Sequence, residues 1–212
     1  MRKSVLILAS STLIFFVSTM AYSAEDPYVS LSLGFVMPND SDADFDSGDT
    51  VTFEFDDGFA FSGAIGGRIE KGIRAEAEFS YLKSDLDKAS VSGFGSTPVD
   101  GDISSISLLA NGYFDFINEG PITPFFSAGI GITSVEVSDI TIPSSSYYLE
   151  GDDDIVFAYQ VGAGVGFSLN EQTILDIKYR YFATSDPDFE IASAEFSSHN
   201  LFIGIRVSFN TY

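Results

Sequence analysis

The feature that most constrains the fold of this chain is an alternation of apolar and polar residues with a period of two. In residues 73–81, one face carries Ile, Ala, Ala, Phe and Tyr, while the other face carries Arg, Glu, Glu and Ser. Successive side chains of a β-strand point to opposite sides, so this pattern predicts a strand with one apolar face. Helical spacing is hard to find after Asp26. The chain is therefore predicted to be all-β.

Eight segments have this alternation and are predicted to be strands. They are residues 29–35, 59–69, 73–81, 105–116, 124–137, 157–167, 173–184 and 201–209. The connections between them alternate between long and short. The long connections are residues 38–58, 83–102, 138–154 and 183–198, and the short ones are residues 70–72, 117–123 and 170–172. The long connections hold most of the acidic residues and are predicted to be solvated loops.

A barrel in an outer membrane accounts for both the alternation and the connection lengths. Four loops of about 20 residues would count against the strand assignment in a compact soluble domain. Outer-membrane barrels have an even number of antiparallel strands, tight periplasmic turns and longer extracellular loops. The sequence therefore predicts an eight-stranded antiparallel up-and-down transmembrane β-barrel. A soluble antiparallel sheet, whose strands also alternate, is the alternative.

The N-terminus is predicted to be an export signal. Arg2 and Lys3 precede an apolar stretch at residues 5–17, and small residues follow at 19–24. This order is typical of a signal peptide, and the apolar stretch is shorter than the roughly 20 residues of a membrane-spanning helix. An uncleaved anchor is the alternative. We expect a signal peptide at residues 1–24, cut within residues 21–24, and a barrel domain at residues 25–212.

The polar face of the predicted strands carries nearly balanced charges, although the whole chain has a net charge of −21. The cations are Arg68, Arg74, Lys178, Arg180 and Arg206, and the anions are Glu76, Glu78, Asp115 and Asp176. Unpaired buried charge is costly, so we expect these side chains to pair inside a closed lumen. An eight-stranded barrel leaves an interior just wide enough for side chains. Glycines at residues 129, 131, 162, 164 and 166 would give the long charged side chains room.

Composition excludes several classes of protein. The chain has no Cys, which excludes a disulfide scaffold, a Cys-ligated metal site and a lipid anchor on Cys. Its 31 acidic residues against ten basic ones argue against a nucleic-acid partner, because phosphate contacts need an excess of cationic side chains. Asp40, Asp42 and Asp44 are spaced like the start of a calcium loop, but Phe45 stands where Gly is required and Val51 where Glu is required. We therefore expect no cofactor and no metal centre, with weak divalent-cation binding left open.

Several strand segments together resemble the small outer-membrane β-barrel family. They are residues 74–81, 108–116, 124–131, 158–166, 179–182 and 200–209. The family includes opacity-type proteins, alphaproteobacterial surface antigens and OmpA-like eight-stranded barrels. The resemblance implies a Gram-negative bacterial outer membrane, with its lipid and lipopolysaccharide as surroundings, and a surface antigen, adhesin or structural role. It also implies that the barrel-assembly machinery reads an aromatic residue at the end of the last strand, here Phe209 or Tyr212.

Two functions are compatible with the sequence. The first is a surface protein, structural or adhesin-like, whose acidic loops meet a host or environmental ligand. The alternative is a narrow porin-like channel for small or apolar solutes. An enzyme is not expected. Glu195, Ser197 and His199 share one face, as in an outer-wall lipid A hydrolase, but residues two apart on a strand are separated by about 6.6 Å.

Overall fold

The structure, a computed structural model, describes residues 25–45, 50–91, 95–143, 148–149, 151–185, 192–194 and 196–209. These residues form fourteen β-strands. The strands are β1 (Glu25–Pro38), β2 (Ser41–Phe45), β3 (Thr50–Phe55), β4 (Gly58–Glu70), β5 (Ile73–Val91), β6 (Gly95–Pro98), β7 (Asp102–Asp115), β8 (Ile122–Val137), β9 (Ile140–Thr141), β10 (Tyr148–Leu149), β11 (Asp152–Ser168), β12 (Thr173–Thr184), β13 (Ala192–Ala194) and β14 (Ser197–Ser208). The predicted signal peptide lies outside the described residues. Within them, no helix has the length and apolarity needed to cross a membrane.

Eight of these strands close into a barrel. In chain order they are β1, β4, β5, β7, β8, β11, β12 and β14, and each pairs antiparallel with the next. The ring closes where β1 pairs with β14, from Tyr28 opposite Ser208 to Pro38 opposite Ser198. No barrel strand is left with an open edge, which satisfies the backbone without help from solvent. The predicted eight-stranded antiparallel barrel is confirmed.

The outer wall of the barrel is apolar. Large hydrophobic side chains lie exposed on every barrel strand, and Leu33, for example, is 64% exposed. Phe114, Phe116 and Phe126 form an aromatic group on this wall, with neighbouring ring centroids 5.1 and 5.6 Å apart. Soluble monomers rarely expose a continuous apolar surface of this extent, whereas barrels in lipid require it. The soluble-sheet alternative is therefore excluded.

Short turns join the strands at one end, which is periplasmic in barrels of the outer membrane. In the turn between β4 and β5, Gly72 has a φ of 80°, a left-handed conformation that favours glycine. In the turn between β7 and β8, the Asn118 side chain donates to the Ile122 carbonyl oxygen at 2.8 Å and accepts from the Gly120 N–H at 2.8 Å. Asn170 accepts from two backbone N–H groups in the turn before β12. Turn chemistry thus keeps these connections short.

The prediction that the four long connections are loops is wrong, because most of their described residues form β-strands. β5 runs on to Val91, beyond the predicted end at residue 81, and it pairs there with β3 and β6. β3 pairs with β2, and β2 pairs with β13. These five strands form an extracellular sheet in the order β13, β2, β3, β5 and β6. β9 and β10 form a separate hairpin. Of the three aspartates spaced like the start of a calcium loop, Asp42 and Asp44 lie in β2, and Asp40 immediately precedes it.

Candidate functional site

Glycines line part of the inner wall and give the lumen side chains their space. A Cβ added at Gly164 would lie 2.6 Å from the Phe125 Cζ atom, and one at Gly129 would overlap the Asn111 side chain. At Gly166 the nearest side-chain atoms include those of Asp176 and Arg206. The ring of Phe125, the amide of Asn111 and one ion pair therefore occupy volume that larger residues would fill.

Charged side chains fill the periplasmic half of the lumen. Arg74 on β5 holds Asp115 on β7 by two hydrogen bonds, Nε to Oδ2 at 2.6 Å and Nη2 to Oδ1 at 2.9 Å. Arg206 on β14 holds Asp176 on β12 in the same two-point manner, with both distances 3.0 Å. Such paired contacts are among the strongest ion pairs in proteins. Both pairs join neighbouring barrel strands.

Tyr28 connects the first of these pairs to a further carboxylate. Its hydroxyl donates to Glu76 Oε1 at 2.8 Å and accepts from Arg74 Nη1 at 2.8 Å. The same Arg74 nitrogen lies 3.3 Å from Glu76 Oε1. The Arg74 guanidinium also stacks over the Tyr113 ring, 4.3 Å from its centroid. The charged groups of this buried cluster therefore have partners, as burial requires.

Glu78 is the centre of a second group that crosses the lumen. It accepts from Arg180 Nη1 at 2.5 Å and from Asn111 Nδ2 at 3.1 Å, and Lys178 Nζ lies 3.8 Å away. Gln160 donates to Asn111 Oδ1 at 2.6 Å. Glu78 is on β5 and Arg180 is on β12, which occupy opposite positions in the ring of eight strands. The contact therefore joins opposite walls of the barrel.

Arg68 does not belong in the lumen, so this part of the sequence prediction is wrong. Its side chain is 44% exposed and pairs with Asp26 at 2.9 Å. Arg68 is near the end of β4, beside the short turn, where the barrel opens to water and a long side chain extends outward. The other eight predicted charges all lie on the inner face. They are Arg74, Lys178, Arg180, Arg206, Glu76, Glu78, Asp115 and Asp176, and they form a charge network with four charges of each sign.

An apolar cluster, which the alternation of the strands did not predict, occupies the extracellular half of the lumen and reaches its middle. It comprises Val36, Ala60, Leu82, Ile103, Leu109, Val135, Val156, Ala158, Phe182, Phe196 and Phe202. Phe196, which follows the extracellular strand β13, packs edge to face against Phe182, with ring centroids 6.4 Å apart. Apolar residues at inward positions near the extracellular strand ends, such as Val36 and Leu82, were the available signal. The lumen therefore changes from charged side chains towards its periplasmic end to apolar side chains interspersed with buried hydroxyls and amides, such as Ser84, Thr184 and Asn200, towards its extracellular end.

A small cavity lies between the side chains of the charge network and those of the middle of the lumen. Its volume is about 20 Å³, and Ser30, Ser32, Glu76, Lys178 and Tyr113 are among the residues that line it. A space of this size has room for roughly one water molecule. The cavity is too small to hold an organic solute.

The extracellular sheet carries a small cluster of charges. Lys88 on β5 contacts its neighbour Asp87 and lies 3.8 Å from Glu54 Oε2 on β3. The hydrogen bond and negative charge of Asp87, followed by the charge of Glu54, raise the pKa of Lys88 above its ordinary value. At the membrane side of the sheet, Lys83 Nζ lies 3.2 Å from Asp102 Oδ2. The contacts of Lys88 with Glu54 and of Lys83 with Asp102 join adjacent strands.

Of the residues considered for a hydrolase, Ser197 and His199 each contact a different partner. The Ser197 hydroxyl accepts from Asn39 Nδ2 at 2.9 Å, and His199 Nδ1 lies 2.6 Å from the Tyr179 hydroxyl. Glu195 lies outside the described residues. Of the two candidate assembly residues, Phe209 is 62% exposed and its N–H donates to the Pro27 carbonyl oxygen, whereas Tyr212 lies outside the described residues.

Known proteins similar to this chain include two relatives by sequence and one solved structure. An uncharacterised protein of Brucella abortus (strain 2308) is 30% identical over 158 residues, which cover 61% of this chain and 55% of that protein. The outer membrane protein PagN of Salmonella typhimurium is 31% identical over 85 residues, 39% of this chain and 36% of that protein. The chain thus spans about half or less of these relatives. The crystal structure of Neisserial surface protein A superimposes with a TM-score of 0.57 at 21% identity, covering 88% of this chain and 99% of that one.

A family model described as an outer membrane protein beta-barrel domain matches residues 7–209, almost the whole chain. The closed ring of eight antiparallel strands and its apolar outer wall agree with that match. The chain therefore belongs to the outer membrane protein β-barrel domain family and is a protein of the bacterial outer membrane.

Proposed function

We propose that this protein is a surface protein of the adhesin or structural type, in which a closed barrel anchors an extracellular sheet that binds a partner. The observation that carries the proposal is the continuity of β5. This strand of 19 residues begins in the barrel wall at Ile73 and ends in the extracellular sheet at Val91. A sheet that shares a strand with the barrel is held in a fixed position, which favours binding because little ordering is needed.

The contents of the lumen support the role of the barrel as an anchor. The charge network is neutral and internally paired, and the apolar cluster packs above it together with buried hydroxyl and amide side chains. Ion conduction needs a path lined by water or by groups that replace it. Paired charges followed by tightly packed uncharged side chains leave no such path. We therefore place the function at the extracellular surface and propose that it is binding, not catalysis.

The charge of the extracellular segments indicates the chemistry of the partner. The four connections at residues 38–58, 83–102, 138–154 and 183–198 contain 21 of the 31 acidic residues and only two lysines. A surface of one sign attracts partners of the opposite sign and repels like-charged ones. We propose that the partner presents a cationic surface, and that the association weakens as salt rises because the charges are solvent-exposed.

An adhesion assay tests the binding function. Cells of a non-adherent Gram-negative strain that display the protein are expected to attach to cultured epithelial cells, and attachment is expected to fall when the salt concentration rises. Replacing residues 41–55 by a short Gly-Ser connection removes β2 and β3 and is expected to abolish attachment. The control variant shortens residues 140–149, which carry the separate β9–β10 hairpin. Equal attachment by the display strain and its vector control contradicts the proposal.

Planar-bilayer recording tests the anchor role against the channel alternative. The purified protein is expected to give no steady single-channel current. Liposomes containing it are expected to exclude small sugars as well as liposomes without protein do. Steady currents or sugar-dependent swelling would overturn the closed anchor and make a porin-like channel the function.

A further inference from the structure

The outer wall of β14 changes from apolar to polar near its extracellular end. Leu201, Ile203 and Ile205 are exposed on this wall, and His199 and Ser197 are the next two outward residues. His199 lies beside two tyrosines of β12. Its ring centroid is 6.0 Å from that of Tyr179, with the planes 23° apart, and 5.3 Å from that of Tyr181. Three rings therefore lie together where the apolar wall ends.

The hydrogen bond within this ring group determines what His199 offers to a ligand. The Tyr179 hydroxyl lies 2.6 Å from His199 Nδ1. When the Tyr179 hydroxyl donates to Nδ1, the imidazole carries its own proton on Nε2. Ser197 Oγ accepts from Asn39 Nδ2, which leaves the hydroxyl proton of Ser197 for an acceptor. The group therefore presents two donors next to aromatic faces.

Charge divides the outer wall at the extracellular strand ends into two arcs. On β5, β7, β8 and β11 the outward residues there include four acids, Asp85, Asp102, Glu136 and Asp153, and one cation, Lys83, which pairs with Asp102. On β12, β14 and β1 the outward residues are Tyr181, His199 and Met37, which lie side by side in register. The first arc therefore keeps a net negative charge, which repels a phosphate. The second arc is the side of the barrel on which an anionic head group can approach.

We propose that Tyr179, Tyr181, His199 and Ser197 form a binding site on the outer wall for the phosphorylated sugar head group of lipopolysaccharide. The sugar C–H faces pack on the tyrosine rings, which suit the boundary between apolar and wet surroundings. His199 Nε2–H and the Ser197 hydroxyl donate to phosphate or sugar oxygens. The site lies on the membrane-facing wall and is separate from the extracellular sheet, so it goes beyond the proposed binding function.

Native mass spectrometry of the detergent-solubilised full-length barrel tests the site, with rough lipopolysaccharide of defined mass as the probe. The wild type is expected to retain one lipopolysaccharide molecule in preference to phosphatidylglycerol. Tyr179→Phe removes a single oxygen atom, and His199→Leu removes the donor. Each is expected to weaken lipopolysaccharide binding about fivefold, the effect of losing one hydrogen bond. Tyr81→Phe, an outward tyrosine on the acidic arc, is the matched control and is expected to bind as the wild type does.

Two controls keep the result interpretable. Heat-dependent mobility on denaturing gels shows which variants are folded, and Tyr179→Phe carries the test if His199→Leu fails to fold. Enzymatic removal of the lipid phosphates is expected to weaken wild-type binding. Any one of three results would overturn the proposal. These are equal affinity of Tyr179→Phe and the wild type for lipopolysaccharide, no preference for lipopolysaccharide over phosphatidylglycerol, and binding that is unchanged by phosphate removal. The adhesion assay is independent of each of these outcomes, because its variants leave the outer wall intact.

Discussion

Arg180 and Glu78 meet across the lumen, with Nη1 of the arginine 2.5 Å from Oε1 of the carboxylate, although they are 102 residues apart in the chain. Both side chains are almost completely buried. The guanidinium also stacks over the Phe202 ring, 4.3 Å from its centroid. The contact ties opposite walls together, and it resolves two problems of an eight-stranded barrel at once. The lumen is filled, and buried charges that would be costly alone neutralise each other.

Removing the carboxylate charge at this contact is expected to destabilise the barrel strongly. Glu78→Gln leaves Arg180 and Lys178 without their shared anion, and breaking a buried pair from one side costs about 3 kcal/mol. Urea unfolding of the folded barrel in detergent measures the change. Glu136→Gln, on the exposed face of β8, is the matched control and is expected to shift the midpoint little. Equal midpoints for Glu78→Gln and wild type would show that the pair is not formed.

Two arginines of similar sequence context are expected to behave differently. Arg206→Met removes a buried partner of Asp176 and is expected to cost about 3 kcal/mol. Arg68→Met removes a pair that is largely exposed at the periplasmic rim, where such contacts contribute about 0–1 kcal/mol. The same urea titration compares both variants in parallel. A larger loss for Arg68→Met than for Arg206→Met contradicts the assignment of Arg68 to the rim.

The sequence predicts the barrel because the alternation of apolar and polar residues recurs in eight segments. Alternation with a period of two, together with connection lengths that alternate, leaves few other ways to satisfy the backbone. It also predicts the inner charges, because on each strand they lie on the polar face, opposite the apolar one. Arg68 shares that face but lies where the strand leaves the barrel, and alternation carries no information on height along the barrel axis. Only the register of β4 with β5 and the start of β1 reveals its position.

The extracellular strands and the apolar cluster could not be predicted in the same way. Residues 50–55 alternate Thr, Val, Thr, Phe, Glu and Phe, which is a strand pattern, but the strand is short and the alternation of its partner β5 predicts an end at residue 81. Val36 and Phe182 are apolar at inward positions, which conflicts with a uniformly polar lumen. Whether Val36 and Phe182 belong to an apolar cluster depends on which distant strands place further apolar residues at the same height along the barrel axis. Phe196 in particular enters the cluster from a predicted loop.

The glycines of the inner and outer walls are expected to differ in their tolerance of a methyl group. At Gly164 a Cβ would lie 2.5 Å from the Ile177 carbonyl oxygen and 2.6 Å from Phe125 Cζ, so Gly164→Ala forces the backbone or the ring to move and is expected to cost about 1–3 kcal/mol. At Gly112 a Cβ would meet no atom within 4 Å. Gly112→Ala is expected to be neutral or to stabilise by about 0.5 kcal/mol, because glycine is unfavourable within a strand. Urea unfolding of the two variants in parallel measures the difference in stability. Equal destabilisation of both would contradict the placement of Gly164 on the inner wall and Gly112 on the outer wall.

A substitution at Phe196 distinguishes the contribution of the apolar cluster to stability from its contribution to closing the lumen. Phe196→Ala removes a ring that is 2% exposed and is expected to cost about 3 kcal/mol through the cavity it leaves. We expect no ion conduction from this variant, because the charge network still fills the periplasmic half and its pairs do not depend on Phe196. Urea unfolding measures the first effect and planar-bilayer recording the second. Tyr159→Phe, on the outer wall, is the control for both measurements. Steady currents through Phe196→Ala would show that the apolar cluster alone closes the barrel and that the paired charges leave a path for ions.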